Sequence, residues 1–258
     1  MDEKYRSHRA RRMNEVCIEE LLIAQIALRL AGLRHVAVGV SSPIPGAAAL
    51  LARELSAGTL RVSILGSRRH TSFTDGSKEL FDCAAQGRID AFFLGGAQID
   101  GKANINLNAI GGYPQSKLRF AGAFGSSYLY FLVPKVFLFT MTHSSRVLVP
   151  QVDFISAPGT SEPKVYRPGG PRALLTNRCV FDFDRAAQCF TLTSVHPGET
   201  ITSIRDNTGF DYHQARSVIT TPTPNSKTLA LIRGPVADAI AQIYPDFAAR
   251  VFPHACAA

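Results

Sequence analysis

The feature that most constrains this chain is the spacing of its short apolar runs over the first hundred residues. HVAVGV (35–40), LRVSIL (60–65) and DAFFLGG (90–96) are nearly continuous apolar segments of strand length, with helical patterns between them. After the first, SSPIPG reads as a loop and AAALLAREL (47–55) as a helix. After the second, Ser77 is placed to cap a helix over 78–86. Upstream, Asn14 can cap a helix with Glu15 in its first turn, where Ile18, Leu22, Ile26 and Leu30 recur at four-residue steps until Gly32. Strands that are apolar at successive positions need cover on both faces, and helices between consecutive strands supply it. The predicted fold class is α/β, an open, mostly parallel sheet flanked by helices.

Beyond residue 130 the texture becomes strand-rich. FLVPKVFLF, RVLVP and VDFIS are short apolar runs, and CVFDFD, RAAQ and CFTLTSV read as a hairpin across which Cys179 and Cys189 can face each other. Residues 156–172, punctuated by prolines and glycines from Pro158 to Pro171, form an irregular excursion suited to a pocket rim. TTPTPN (220–225) precedes a last helix, KTLALIR, which Gly234 and Pro235 break and VADAIAQIY restarts. The expected organisation is a basic N-terminal tail over 1–14, one domain over 15–245 and a C-terminal tail over 246–258.

Composition narrows the function. Of 258 residues 46% are hydrophobic and 19% charged, which describes a globular protein. The longest apolar stretch, 128–139, is broken by Pro134 and Lys135, short of the roughly 18–20 residues that span a bilayer. The charged N-terminus lacks the pattern of a secretory signal, so the expected location is the cytoplasm. Five widely spaced cysteines without a C-x-x-C pair suggest neither a disulfide framework nor a zinc cluster, and seven histidines without ligand spacing suggest no metal. The net charge is +8, of which residues 1–12 carry +3, from five bases against Asp2 and Glu3. That excess suits an anionic ligand, whereas a zinc finger, a basic aromatic helix or an RNP strand for nucleic acid is absent.

G-x-G-x-x-G, the Walker lysine loop, G-x-S-x-G and H-E-x-x-H do not occur. What stands out is GGAQIDGKANINLNAIGGYP (95–114), a glycine- and amide-rich turn directly after an apolar strand. Ligands of parallel α/β sheets bind at strand C-terminal ends, where glycine admits close backbone approach and amides present paired donors and acceptors. RFAGAFGSSYLY (119–130) repeats the style with Gly122, Gly125 and Ser126. Ser41 and Ser42 stand at another strand end. Tight-turn chemistry and helix capping explain each of these clusters equally well when taken singly.

Taken in order, GGAQID, Asn104 and Asn106, KLRFAGAFGS, RVLVPQVDFISAPG (146–159), CVFDFD, SVHPG (194–198) and RDNTGFD (205–211) resemble the β-subunit of class I CoA-transferases of the glutaconate type, over about residues 15–235. The resemblance implies the CoA-transferase and ribose-phosphate isomerase-like superfamily, an acyl-CoA substrate, and an active site shared with an α-subunit. It implies that Gly96, Ala97 and Gln98 receive the thioester end, that Asn104 and Asn106 fix their loop, and that Gly122, Gly125 and Ser126 approach the pantetheine and carbonyl region. Ser41 and Ser42 are expected to line the same cleft.

In such transferases a β-subunit glutamate near the end of the second strand attacks the thioester. Here that stretch reads RVSILGSRR, and no Asp or Glu lies between Glu54 and Asp75. Ser63 cannot form the anhydride that exchange needs, and the sequence shows no base beside it. The gap resembles the β-subunits of the CoA-thioester hydrolases that open the last rings in steroid degradation, whose catalytic carboxylate is implied to come from the α-subunit. An orthodox transferase subunit, or a non-catalytic subunit that completes a partner's pocket, are the alternatives. Asp75 and His196 are retained as candidate acid or base, although an Asp-Gly step is more often a turn and His before Pro more often structural.

Overall fold

The computed structural model describes residues 16–252. The expected cap at Asn14 with Glu15, the basic tail and Cys256 lie outside the described residues.

The first helix among the described residues, α1 (Ile18–Arg29), begins after Cys17, whose backbone N–H donates to Glu20 Oε2 at 3.1 Å. It leads to β1 (His35–Val38), α2 (Pro43–Leu55), β2 (Arg61–Ile64), α3 (Gly76–Ala85) and β3 (Ala91–Leu94). Two boundaries differ from expectation. α2 starts at Pro43, inside the expected loop, because proline's fixed φ suits a first helical position that needs no N–H partner. The cap of α3 is Asp75, so Ser77 lies within the first turn.

After β3 the chain makes two small antiparallel ribbons, β4 (Gln98–Ile99) with β5 (Ile105–Asn106) and β6 (Ala109–Ile110) with β7 (Leu118–Arg119). The apolar run FLVPKVFLF divides between α4 (Ser126–Leu132) and β8 (Lys135–Thr140), with Pro134 at the break. RVLVP and VDFIS, expected to add strands, form none. Leu148 makes only an isolated bridge to Ile99, and the segment serves to hold the ribbons. β9 (Pro171–Thr176), β10 (Cys179–Asp184) and β11 (Cys189–Val195) follow, with β10 and β11 paired as the expected hairpin. Its register sets Cys179 opposite Val195 and Cys189 opposite Asp184, so the two cysteines do not face each other and both are free. α5 (Ile201–Asp206), β12 (His213–Thr220), α6 (Ser226–Leu231), a kinked π turn (Ile232–Val236), α7 (Ala237–Ala241) and α8 (Pro245–Val251) complete the order. The kink falls at Gly234 and Pro235, where the sequence places it.

The eight-stranded sheet has the order β12-β11-β10-β9-β8-β3-β1-β2. β2, β1, β3, β8 and β9 run parallel, β10 is antiparallel to both neighbours, and β11 pairs parallel with β12. Alternation along each strand divides two cores. Val36, Val38, Phe93 and Phe137 face α1, α2, α7 and α8, while Ala37, Phe92, Leu94 and Leu138 face α3 and α4. Phe247, Ala248 and Phe252, from the expected C-terminal tail, are buried in the first core.

Glu20 ties the N-terminal helix to the C-terminal ones. Only 4% of its side chain is exposed, and it accepts from Arg233 Nε at 2.5 Å and Nη2 at 2.9 Å. A fork-shaped pair at this depth holds register, and removing one partner leaves a buried charge. Arg233→Met is expected to lower unfolding free energy by about 2–4 kcal/mol in denaturant titration, and adding Glu20→Gln to recover part of the loss.

Candidate functional site

From β1 the chain passes through α2 to β2 on one side, then through α3 to β3 on the other, with α2 and α3 on opposite faces. That reversal leaves a crevice beyond the C-terminal ends of β1 and β3, the place where open α/β sheets bind ligands. A cavity of about 500 Å³ occupies it. Ser41 and Ser42 come from the β1 end, Leu94 and Gly95 from the β3 end, and Phe139 and Met141 from the β8 end. Glu19 and Arg250, paired at 2.8 Å, close one side.

Local chemistry explains these positions. Ser41 adopts φ +58°, an uncommon conformation for a residue with a side chain, and turns the chain from β1 into α2. Ser42 caps α2 by position, but its hydroxyl contacts Val40 O at 3.4 Å, and its N–H donates to Tyr244 Oη at 3.3 Å. A Cβ on Gly95 would stand 2.9 Å from the Phe139 carbonyl oxygen, so glycine is what lets β3 and β8 meet at the cavity wall.

The amide-rich turn is a frame. Gln98 Oε1 accepts from Asn106 Nδ2 at 2.8 Å and from the Asp153 N–H at 3.0 Å, and Gln98 Nε2 donates to Asp153 Oδ2 at 3.2 Å. Asn106 is fully buried and also donates to Ala109 O, while Asn104 donates to Asp100 and accepts from the Gly159 N–H at 3.1 Å. The Ala97 N–H donates to Asn106 O at 2.9 Å. A Cβ on Gly96 would fall 2.4 Å from Ile105 Cγ2, a contact only glycine admits. Asn104 and Asn106 thus fix the loop. Gln98 is itself bound within it, shortly after the cavity-lining Gly95.

The second glycine cluster stands on α3. Gly125 (φ +68°) packs where a Cβ would meet the Phe81 ring at 2.4 Å, the Ser126 N–H donates to Ala123 O, and Gly122 lies beside Asn108. None of the three is among the residues that line the β1–β3 cavity.

Asp75 is exposed at the start of α3, 3.5 Å from Lys78. Glu79 accepts from the Thr74 and Asp75 N–H groups, which hold its carboxyl below the usual range at the surface. His196, expected as an acid or base, is a core residue. Its Nε2 donates to Thr176 O at 3.0 Å, its Nδ1 pairs with Thr221 Oγ1 at 2.8 Å, and burial lowers its pKa. Both ring nitrogens are occupied, so it has none to offer a substrate.

The sequence shows no base beside Ser63, yet the structure provides one. His35 Nδ1 donates to Arg88 O, and Nε2 lies 2.9 Å from Ser63 Oγ, which also meets Ser72 Oγ at 3.1 Å. Ser63 is fully buried, so the pair joins β1 to β2. Only strand register brings residues 28 positions apart together, and no spacing rule reports it. Arg250 lies in a stretch that carries no motif, and only helix docking brings it to Glu19 at the cavity.

His143 mirrors His196. Its Nδ1 meets Thr176 Oγ1 at 2.8 Å and its Nε2 meets Thr208 Oγ1 at 3.0 Å, and burial lowers its pKa to about 4. Burial likewise pushes the Cys179 thiol up to about 12, so it is not a nucleophile.

No group of three metal-ligating side chains occurs among the described residues, and no described helix is long and apolar enough to cross a membrane.

A family model described as Coenzyme A transferase matches residues 17–207. The chain is 35% identical over 153 residues to the β-subunit of the 3-oxoadipate CoA-transferase of Pseudomonas knackmussii, covering 57% of this chain and 58% of that one. It is 31% identical over 160 residues to the cholesterol ring-cleaving hydrolase IpdB subunit of Rhodococcus jostii, covering 60% and 62%. These matches span little more than half the length of the curated relatives. The crystal structure of Rhodococcus jostii IpdAB superposes with a TM-score of 0.76 at 26% identity, over 85% of this chain and 94% of that one.

Two outcomes follow from the geometry. Gln98→Ala strands the Asn106 amide and the Asp153 N–H, and is expected to cost about 1–3 kcal/mol in denaturant titration. His143 is held neutral when folded and takes a proton near pH ~6.5 when unfolded. Stability is therefore expected to fall as pH drops from about 6.5 to 4, by on the order of 3 kcal/mol. His143→Gln should flatten that limb in unfolding followed against pH.

Proposed function

The chain belongs to the coenzyme A transferase family, and on that premise we propose that it is the β-subunit of a heteromeric enzyme acting on acyl-CoA thioesters, as a C–C bond hydrolase. The observation that carries this reading is the end of β2. Ser63 is sealed beneath His35 and Ser72, and the next carboxylates, Asp75 and Glu79, are engaged at the surface. This chain therefore offers no carboxylate there to form an acyl anhydride. The likeness to the ring-cleaving IpdB subunits supports the same direction.

In this reading the α-subunit supplies the carboxylate that activates water, and the acyl-CoA lies across the β1–β3 crevice. Water adds to the β-keto carbonyl, and the C–C bond breaks to give a carboxylic acid and a thioester enolate that takes up a proton. The chain's part is to hold the substrate. The turn after β3 presents backbone near the thioester, Ser41 and Ser42 offer hydroxyls, and Phe139 and Met141 give apolar cover against bulk water. The Gln98–Asn106–Asp153 frame keeps that turn from moving as charge develops.

An orthodox CoA-transferase is the second reading, favoured by the 35% identity to the 3-oxoadipate transferase β-subunit. Co-expression with an α-subunit, followed by mass spectrometry of acyl-CoA turnover in H₂¹⁸O, separates them. The hydrolase reading expects one ¹⁸O in the newly formed carboxylate with no acceptor acid present. Turnover only with an acceptor acid, together with a hydroxylamine-sensitive thioester on this chain, would establish the transferase instead.

A further inference from the structure

A second concavity, of about 790 Å³, lies on the face of the sheet that α1 covers, toward the opposite ends of the strands. Its floor follows one lateral row across the sheet, in which Phe137 pairs with Ala173, Ala173 with Asp182, and Asp182 with Thr191. Small Ala173 at the centre leaves the space. Lys135, at the start of β8, and Arg172, at the start of β9, stand on the rim, and Arg29 from the last turn of α1 forms the wall.

Arg172 is there because of a bulge. Val136 pairs with Pro171 and Phe137 with Ala173, which makes Arg172 an extra residue in the ladder. A bulge re-aims a side chain, here toward the concavity.

The charges in this groove are unbalanced. Lys135 and Arg172 make no side-chain hydrogen bond or ion pair among the described residues. Arg29 is half-buried, and among the described residues its guanidinium reaches only Gln25 of its own helix, at 3.1 Å to the carbonyl and 3.4 Å to the side chain. Arg185 is turned to the Arg167 and Pro168 carbonyls, and Asp184 accepts from the Ala186 and Ala187 N–H groups. Four cationic side chains, Arg29, Lys135, Arg172 and Arg185, thus line the groove against two carboxylates, Asp182 and Asp184, and none of the four is ion-paired among the described residues. Burial lowers the pKa of Arg29 and Asp182 only partly opposes it, the sign of a cation short of counter-charge.

We propose that this groove is a second binding site, for a compact oxyanion of two or more negative charges. Its volume lies in the range of small-molecule sites, and guanidinium and ammonium groups converging on one space are the donors that phosphate and carboxylate groups require. The site is separate from the β1–β3 cavity. Glu19 lines that cavity and Arg29 lines this groove, ten positions along α1, or about 15 Å at helical rise. Asp182 and Thr191 favour a ligand that also carries a hydroxyl.

Isothermal titration of the full chain with pyrophosphate and, separately, with citrate tests the site and tells a phosphoryl ligand from a polycarboxylate. The expected result is saturable binding of at least one, weakened by salt. Lys135→Ala and Arg172→Ala, both at the rim, should each reduce affinity roughly tenfold, and Asp182→Asn should increase it. No saturable binding of either probe in the millimolar range would overturn the proposal. So would binding indifferent to all three substitutions. Loss of association with a co-expressed α-subunit in the rim variants, with no probe binding by the free chain, would make the groove a protein interface and refute a small-ligand site.

Discussion

Burial of β1 and β3 on both faces is the constraint from which the rest follows. Each has apolar residues at successive positions, so neither is stable until helices cover it twice. The chain meets this by sending α2 to one face and α3 to the other, which obliges β2 and β3 to pair on opposite sides of β1. The crevice at the β1–β3 ends is a by-product of that reversal. A binding cavity there needs no dedicated architecture, only loops whose residues can approach one another closely.

The segment after β3 meets that demand with hydrogen bonds as well as apolar burial. Ile99, Ala103 and Ile105 enter the core on the α3 side, and the amide side chains of its two ribbons satisfy one another and the 148–159 loop. Buried amides that are fully paired give rigidity, because every alternative conformation strands a donor or acceptor. Gly95 and Gly96 complete it by admitting the backbone contacts that a side chain would block. The result is a stiff edge to the cavity, suited to holding a ligand in one pose.

Electrostatics divides the same sheet face into two regions. β8 and the turn after it contribute Phe139 and Met141 to the cavity, and β8 contributes Lys135 and Phe137 to the cationic groove, while α1 carries Glu19 to the first and Arg29 to the second. In the cavity Glu19 and Arg250 neutralise each other, whereas in the groove Lys135 and Arg172 have no such match among the described residues. The buried histidines belong to neither region. His143 and His196 both bond Thr176 at the C-terminal end of β9, where burial lowers the pKa of each.

Much of the fold was legible in the order of the residues. The β-α-β alternation, the β10–β11 hairpin and the break at Gly234 and Pro235 rest on local signals, apolar periodicity, turn residues and backbone restriction, which act within a few positions. The conspicuous glycines and amides were also visible, and the side chains of Asn104 and Asn106 hydrogen-bond within their loop. What the order of residues could not settle was which of them meet. Ser63 and His35, Glu20 and Arg233, and Glu19 and Arg250 are joined by strand register and helix docking across 28 to 231 positions. His196 and RVLVP show the same limit from the other side. A histidine's chemistry and a strand-like run are local properties, but the occupation of both ring nitrogens and which backbone that run meets are decided by the packed whole. Composition and periodicity determine which elements form, because those depend on neighbours in sequence. Which groups are buried, paired or left open to a ligand is decided only by tertiary contact, since desolvation and charge pairing depend on neighbours in space.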